Sequence, residues 1–447
     1  MEFPVLIETL RIALEHNTAH LLRAQLEDVH PADYAAALTE FPTAQLWTLL
    51  TVLPRAEQAE VFGYLPAEVQ VELAITISRR KLAPIIRQMS ADERADLFNR
   101  LTAEQRDTLL PALAQAERED LLRLSAHEEG TAGAIMTSDY AILPPELTVR
   151  EAIEVLRLEA PDKETIYSSY VVDQARQLIG VVSLRELILA PANMRVEALM
   201  NHDPIYAAVD LPQEEVAALI AKYDLLALPI VNAERQMVGI VTHDDAMDVA
   251  AAEATEDFHK TATIGKLESS VKQASIGLLY RKRVFWLVIL VFGNIFSGAG
   301  IAYFEETIAS YLALLFFLPL LIASSGNAGA QSGTLMVRAL ATGDVKLKDW
   351  GWLLGKECGV AALLGLTMSA AVVGLGLWRG GPDIAVVVAI TMMLVVLVGS
   401  LIGLSLPFLL SRLKLDPATA SGPLITSIAD VAGVVLYFSI ATWYLGL

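Results

Sequence analysis

Five long apolar segments close the chain and constrain its fold more than anything else in it: Val284–Tyr303, Ile308 to about Leu335, Leu353–Leu377, Ile384–Leu410 and Pro423–Leu447. About 30 Å of hydrocarbon is crossed by roughly 20 helical residues, and a helix satisfies its own backbone in lipid. Each segment is therefore predicted to span a membrane, which excludes a wholly soluble fold and accounts for an apolar fraction of 54%. The short connections differ in charge. Arg281, Lys282 and Arg283 precede the first segment, Arg338, Lys346, Lys348 and Lys356 surround the second turn, and Arg412 and Lys414 the fourth; the other turns hold Glu305 and Glu306, or Arg379 and Asp383. Basic excess marks the cytoplasmic side, so the N-terminal part is predicted to be cytoplasmic and the C-terminus outside, in a plasma or inner membrane.

The polar part is strongly acidic. From Val284 onward 7 Lys/Arg stand against 8 Asp/Glu, so 18 of the 19 net negative charges fall in the first 283 residues. Such a body disfavours nucleic acid and anionic lipid as partners and raises the local concentration of cations. The lone Cys358 excludes an intrachain disulfide, and the N-terminus, with acids among its apolar residues and no basic lead, reads as an amphipathic helix of the mature protein.

Three regions precede the spans. Residues 1–128 are helix-periodic with a degenerate repeat, "LPRAEQAEVFGYLP", "MSADERADLFNRLT" and "LTAEQRDTLLPAL", roughly a dozen residues apart. Stacked short helices, an α-solenoid-like domain, are predicted, with Ser90/Glu93 and Thr102/Gln105 spaced as capping boxes. Residues 129–250 read β-α-β-β-α twice, and each copy ends in Gly-x-x-Ser/Thr, at Gly180–Ser183 and Gly239–Thr242. This resembles a tandem pair of CBS modules, an α/β fold used for sensing. Residues 251–283 contain no proline and are expected to form a helical connector.

Two constellations carry chemistry. Asp430 is the one charged residue from Gly422 to the end of the chain, with Thr426, Ser427 and Gly433 one turn away. A carboxylate at the bilayer centre costs about 2.5–3.5 kcal/mol or more, and no span interior holds a base to pair with it, which implies a cation. In the second segment Pro319, Gly326, Gly329 and Gly333 are expected to break the helix, while Ser325, Asn327 and Gln331 supply polar groups at membrane depth. A packing seam of small residues is one reading of that stretch; the Asn and Gln favour a lined path. Oxygen-only ligands suit Mg²⁺, Ca²⁺ or Mn²⁺, few carboxylates with retained water suit Mg²⁺, and composition alone does not separate Mg²⁺ from Mn²⁺. Two copies of Asp430 on a two-fold axis would match a divalent charge, so a homodimer is expected.

The second constellation is acidic: Asp245, Asp248, Glu253, Glu256 and Asp257 at the end of the second CBS copy, Glu214 and Asp224 within it, and Glu60, Asp92 and Asp96 in the helical domain to oppose them. Like charges brought together repel unless divalent cations bridge them, which predicts an ion-sensitive latch. A solvated acidic face is the alternative.

With "LPLLIASSGNAGAQSGTLMVRALATGDV" and "SIADVAGVVLYFS" in place, the order of parts resembles the MgtE family of magnesium channels over nearly the whole chain. The resemblance implies a homodimer with the pore between two membrane domains, Asp430 holding hydrated Mg²⁺, Ser325, Gly326, Asn327, Ala330, Gln331, Gly422 and Thr426 lining the pore, the connector as a plug helix, and the ten acids above as regulatory positions. Ser325, Ala330 and Gly422 depart from the usual family residues. Some members bind ATP in the CBS modules; here Glu186 stands where an Asp would hold the ribose, and Ser168 and Leu225 where aromatics would flank adenine, so ATP regulation is expected to be weak or absent. A proton-coupled divalent-cation transporter and a non-conducting, membrane-anchored CBS sensor are the competing classes. No phosphate loop, nucleophile motif or metal-hydrolase signature points to an enzyme.

Overall fold

The computed structural model describes residues 2–446 except 27, 266, 268–270, 272 and 273. It divides into two units, residues 1–251 and 252–447.

The first unit begins as a stack of short helices set by a strict twelve-residue period. Helices start after His30, Pro42, Pro54, Pro66, Ser78, Ser90, Thr102 and Ala114. Proline fixes an extended entry at three of these sites, the His30 imidazole accepts from Ala32 N–H, and the Thr102 hydroxyl accepts from Gln105 N–H. With so short a repeat each helix packs chiefly on the next but one, burying Leu38, Leu49, Phe62, Leu73 and Leu97 in a continuous core. The expected box at Thr102 and Gln105 forms. At Ser90 only half of one does: Glu93 reaches back to the Ser90 backbone, while the Ser90 hydroxyl caps no N–H and bonds the carboxylates of Asp92 and Glu93.

The two CBS copies follow as matching three-stranded sheets. In the first, β1 (Tyr140–Leu143) runs parallel to β2 (Thr165–Val172), which is antiparallel to β3 (Leu178–Ser183). In the second, β4 (Ala207–Ala208), β5 (Ala227–Val231) and β6 (Met237–Thr242) repeat the order. Each third strand bonds the segment entering the other copy: Val181 pairs with Asn201, and Ile240 with Thr137. Tyr140 and Tyr170, buried between the sheets, donate to the carbonyls of Met237 and Ala227. That interlock fixes where β6 ends and the helix His243–Thr261 begins.

The connector departs from one continuous helix. The helix from His243 ends at Thr261, with Thr263 in the left-handed region at φ 56° and Ile264 N–H bonded to the His259 carbonyl. Helix resumes at Ile276 and runs on as the first span to Tyr303.

Among the described residues four helices are long and apolar enough to cross a membrane, and one of them is double. The first span (Ile276–Tyr303) buries no residue within the chain. The second is Ala313–Ala341, the fifth Gly422–Leu445. Between them Trp350–Arg412 is a hairpin, broken where Gly381 takes φ 80°, ψ −178°. Gly365 then lies against Met393, the Ser369 hydroxyl donates to the Ala389 carbonyl at 2.7 Å, and Gly376 meets Ala385, which is the register of an antiparallel helix pair. The third and fourth spans expected from the sequence are thus the two arms of this hairpin.

The second span corrects an expectation. It is an unbroken helix through Pro319 and all three glycines. A Cβ on Gly329 would stand 2.8 Å from the Gly399 carbonyl oxygen, and Gly403 is as tightly set against Gly329. The glycines are there for close approach of two helix backbones, the packing seam that was the alternative reading.

Candidate cation sites

The second and fifth spans run antiparallel in contact. Ala330 lies beside Gly422, Gly326 faces Thr426 so closely that a Cβ would come within 2.7 Å, and Ser325 lies against Gly433. The Ser325 hydroxyl is buried and donates to the Val395 carbonyl at 3.0 Å. Ser325 and Gly326 therefore belong to the seam instead of an open lining, a second correction: their smallness serves packing. Asn327 and Gln331, one turn apart on the second span, are exposed on the single chain, and Ala330, Gly422 and Thr426 are partly so.

Asp430 sits one turn beyond Thr426 on the fifth span, half-buried. Its Oδ1 is enclosed and accepts no hydrogen bond among the described residues. A buried acceptor left so costs about 1–3 kcal/mol, more when charged. The helix is otherwise apolar and well packed around Ile425, Ala429, Gly433 and Val434, so packing leaves that oxygen enclosed with no partner among the described residues.

In the first unit the structure brings together acids from three elements. Asp92 and Glu93 open the helix Ala91–Arg100, Asp245 lies in the first turn of the helix after β6, and Asp139 and Glu164 flank the first CBS sheet. Burial pushes the Asp92 carboxyl above its ordinary range; its Oδ1 is enclosed without a hydrogen-bond partner among the described residues, although Ser90 and Thr137 bond the group. Asp245 is pushed up to about 7 by burial first and by the charge of Asp92 second, against a hydrogen bond from Thr242. Glu93 reaches about 7 by burial and the field of Asp92. Asp139 is raised by burial and its acidic neighbours, while Arg94 and Lys163 lower it. Each charge makes the others costlier, so the contact gathers affinity for protons or divalent cations.

The remaining sequence-predicted acids fall elsewhere. Asp96, one turn from Asp92 on the same helix, has a side chain about half exposed and 3.7 Å from Arg100; partial burial first and the charges of Asp92 and Glu129 raise its carboxyl to about 6 against the pull of Arg100. Glu60, Glu214, Asp224 and Asp248 are exposed and outside this cluster. In the second unit Lys260 bonds Asp416 at 2.6 Å and Glu256 at 2.7 Å, and the charges of Asp416, Glu253 and Glu256 act on Asp257, whose carboxyl is raised first by burial. Burial disfavours the Lys260 ammonium, but the two carboxylates outweigh it and shift the group upward. Sequence reading missed Glu93, Asp139, Glu164 and Asp416, which become neighbours only through folding; the doubled acid Asp92-Glu93 at a helix start was the one available signal. Among the described residues no three Asp, Glu, His or Cys side chains close into a metal-ligand set within the single chain.

Fold and sites together define a class: a multi-span membrane protein with an intramembrane carboxylate, fronted by a helical domain and a tandem CBS pair. A divalent cation transporter family matches residues 318–440, the MgtE intracellular N domain residues 29–130, and the CBS domain residues 132–193 and 196–252. Over 318 residues the chain is 44% identical to the magnesium transporter MgtE of Thermus thermophilus, covering 71% of each protein, and it is 38% identical to that of Bacillus subtilis over 317 residues, 70% of each. A crystal structure of the cytosolic domain of the Mg²⁺ channel MgtE in complex with ATP superposes with a TM-score of 0.52 at 39% identity, covering 54% of this chain and 99% of that one. The soluble part of a magnesium transporter gives 0.53 at 30%, covering 57% and 100%. The chain belongs to the MgtE family, a family of transporters.

Proposed function

We propose that this protein is a passive Mg²⁺ channel working as a homodimer, with one Asp430 from each copy facing a shared, hydrated ion. The observation that carries the reading is the enclosed, unpartnered Oδ1 of Asp430 on a helix with no base to neutralise it. Exposed Asn327 and Gln331, with Ala330, Gly422 and Thr426 beside them, would meet the ion's water shell; few carboxylates and retained water suit Mg²⁺. The names of the relatives agree with the ion.

Gating follows from the acids. At low cytoplasmic Mg²⁺ the crowded charges of Asp92, Glu93 and Asp245 push the helical domain from the CBS pair; bound Mg²⁺ would relieve them and hold the contact shut. Asp96, Glu60, Glu214, Asp224 and Asp248 would contribute at the rim, and Glu253, Glu256 and Asp257 beside Asp416. The N-terminal unit is assigned to the cytoplasm and the C-terminus to the outside by loop charge. ATP would be held weakly, since Glu186 is engaged in a capping box, its Oε2 accepting from Ser183 N–H at 2.8 Å and from the Ser183 hydroxyl at 2.7 Å.

The test is Mg²⁺ flux into proteoliposomes. Asp430→Asn abolishes uptake while the copies still assemble; uptake at the wild-type rate by correctly inserted Asp430→Asn protein refutes the assignment.

A further inference from the structure

At the end of the membrane unit that carries Arg338, Lys346 and Arg412 at the ends of its spans, the chain forms an open-sided cavity of about 660 Å³. Its walls are apolar, with Trp350, Ile402, Leu406 and Leu409 among them, and Lys348 and Arg412 complete its lining. The Trp350 indole N–H is held by the Ser405 hydroxyl at 3.4 Å, which fixes the ring along one wall. Among the described residues neither Lys348 nor Arg412 forms an ion pair. The adjacent acid is engaged locally: Asp349 Oδ2 accepts from the Lys346 backbone N–H at 2.9 Å.

We infer that this cavity is a binding site for an anionic phospholipid. An apolar slot takes an acyl chain, two uncompensated cations at the polar end take the headgroup phosphate, and a tryptophan belongs at that depth. A zwitterionic lipid offers the same phosphate but adds an ammonium that both cations repel. The acidity of the first 283 residues argues against anionic lipid for that part of the chain only; from Val284 onward 7 bases meet 8 acids, and most of those bases lie at this end. The inference needs only that the spans lie in lipid and is independent of the ion carried.

The full-length protein is reconstituted in nanodiscs of equal phosphatidylglycerol and phosphatidylcholine with identical acyl chains, released, and analysed by native mass spectrometry. Phosphatidylglycerol is retained several-fold over phosphatidylcholine, the double variant Lys348→Gln/Arg412→Gln loses the preference, and Lys348→Arg/Arg412→Lys keeps it. Brominated phosphatidylglycerol quenches a component of the tryptophan emission that is missing in Trp350→Phe. Equal retention of the two lipids, or a preference that survives the double Gln variant, overturns the inference. So does spontaneous cross-linking of Ser405→Cys between copies, which would make the cavity an interface between chains.

Discussion

Replacing Asp245 by Asn removes one charge from the acidic contact and keeps the oxygen that accepts from Thr242. A carboxyl held at about 7 instead of 3.8 disfavours its ionised form in the folded unit by on the order of 4 kcal/mol. That is a ceiling, because the repulsion is shared with Asp92. The sign follows from the direction: a folded-state value above the ordinary one leaves no penalty below about pH 4, lets it grow as pH rises, and makes it complete above about 7. Without divalent cations the contact between the helix Ala91–Arg100 and the second CBS copy is therefore looser at pH 8 than at pH 6. Asp245→Asn recovers about 1–3 kcal/mol at pH 8, a slowing of amide exchange in Ala91–Arg100 by roughly 5- to 150-fold. Mg²⁺ at about 100 times its dissociation constant contributes about 2.7 kcal/mol and should protect the wild type to a similar degree. Hydrogen-exchange mass spectrometry on the whole protein, corrected for the intrinsic pH dependence of exchange, reads both effects. Equal protection of wild type and Asp245→Asn at pH 8 in divalent-free buffer would refute the reasoning.

Other outcomes follow from the packing and the pairs. Gly403→Ala drives a methyl into the Gly329 backbone and lowers the melting temperature in detergent by an amount consistent with about 1–3 kcal/mol, whereas Gly374→Ala, which meets open space, is neutral or slightly stabilising. Lys260→Gln removes the cation between Glu256 and Asp416; the side chains are about a third exposed, so the loss stays below about 1 kcal/mol and shows as few-fold faster exchange at the end of the helix His243–Thr261. Because the Lys260 value is raised, that contribution is present at ordinary pH and fades only in strong base, so wild type and variant differ by the same amount at pH 6 and pH 9. Gly381→Ala forces a side chain into a positive-φ turn and destabilises the third and fourth spans by about 1 kcal/mol or more, read by thermal unfolding in detergent.

Much was legible in the chain alone. The twelve-residue repeat, the doubled β-α-β-β-α text, the apolar segments and the isolated Asp430 are local patterns, each read off one stretch because helix starts, strand alternation and lipid solubility depend on neighbours in sequence. What local text could not reveal was which surfaces meet. Glycines at membrane depth fit a broken helix or a seam, the sequence favoured the break, and the carbonyls of Gly329 and Gly399, supplied by different helices, decide for the seam. Ser325 looked like a lining residue until the Val395 carbonyl, 70 residues away in sequence, claimed its hydroxyl. Asp92 and Asp245 stand out in the sequence, but Asp139 and Glu164 read there as ordinary surface acids, and the four become a crowded cluster only where the helical stack closes on the CBS pair. Sequence settled the elements and the chemistry each could carry; tertiary structure decided which polar groups are spent on packing and which, like one carboxylate oxygen each of Asp430 and Asp92, are enclosed without a hydrogen-bond partner among the described residues, because burial and charge proximity are properties of surfaces in contact.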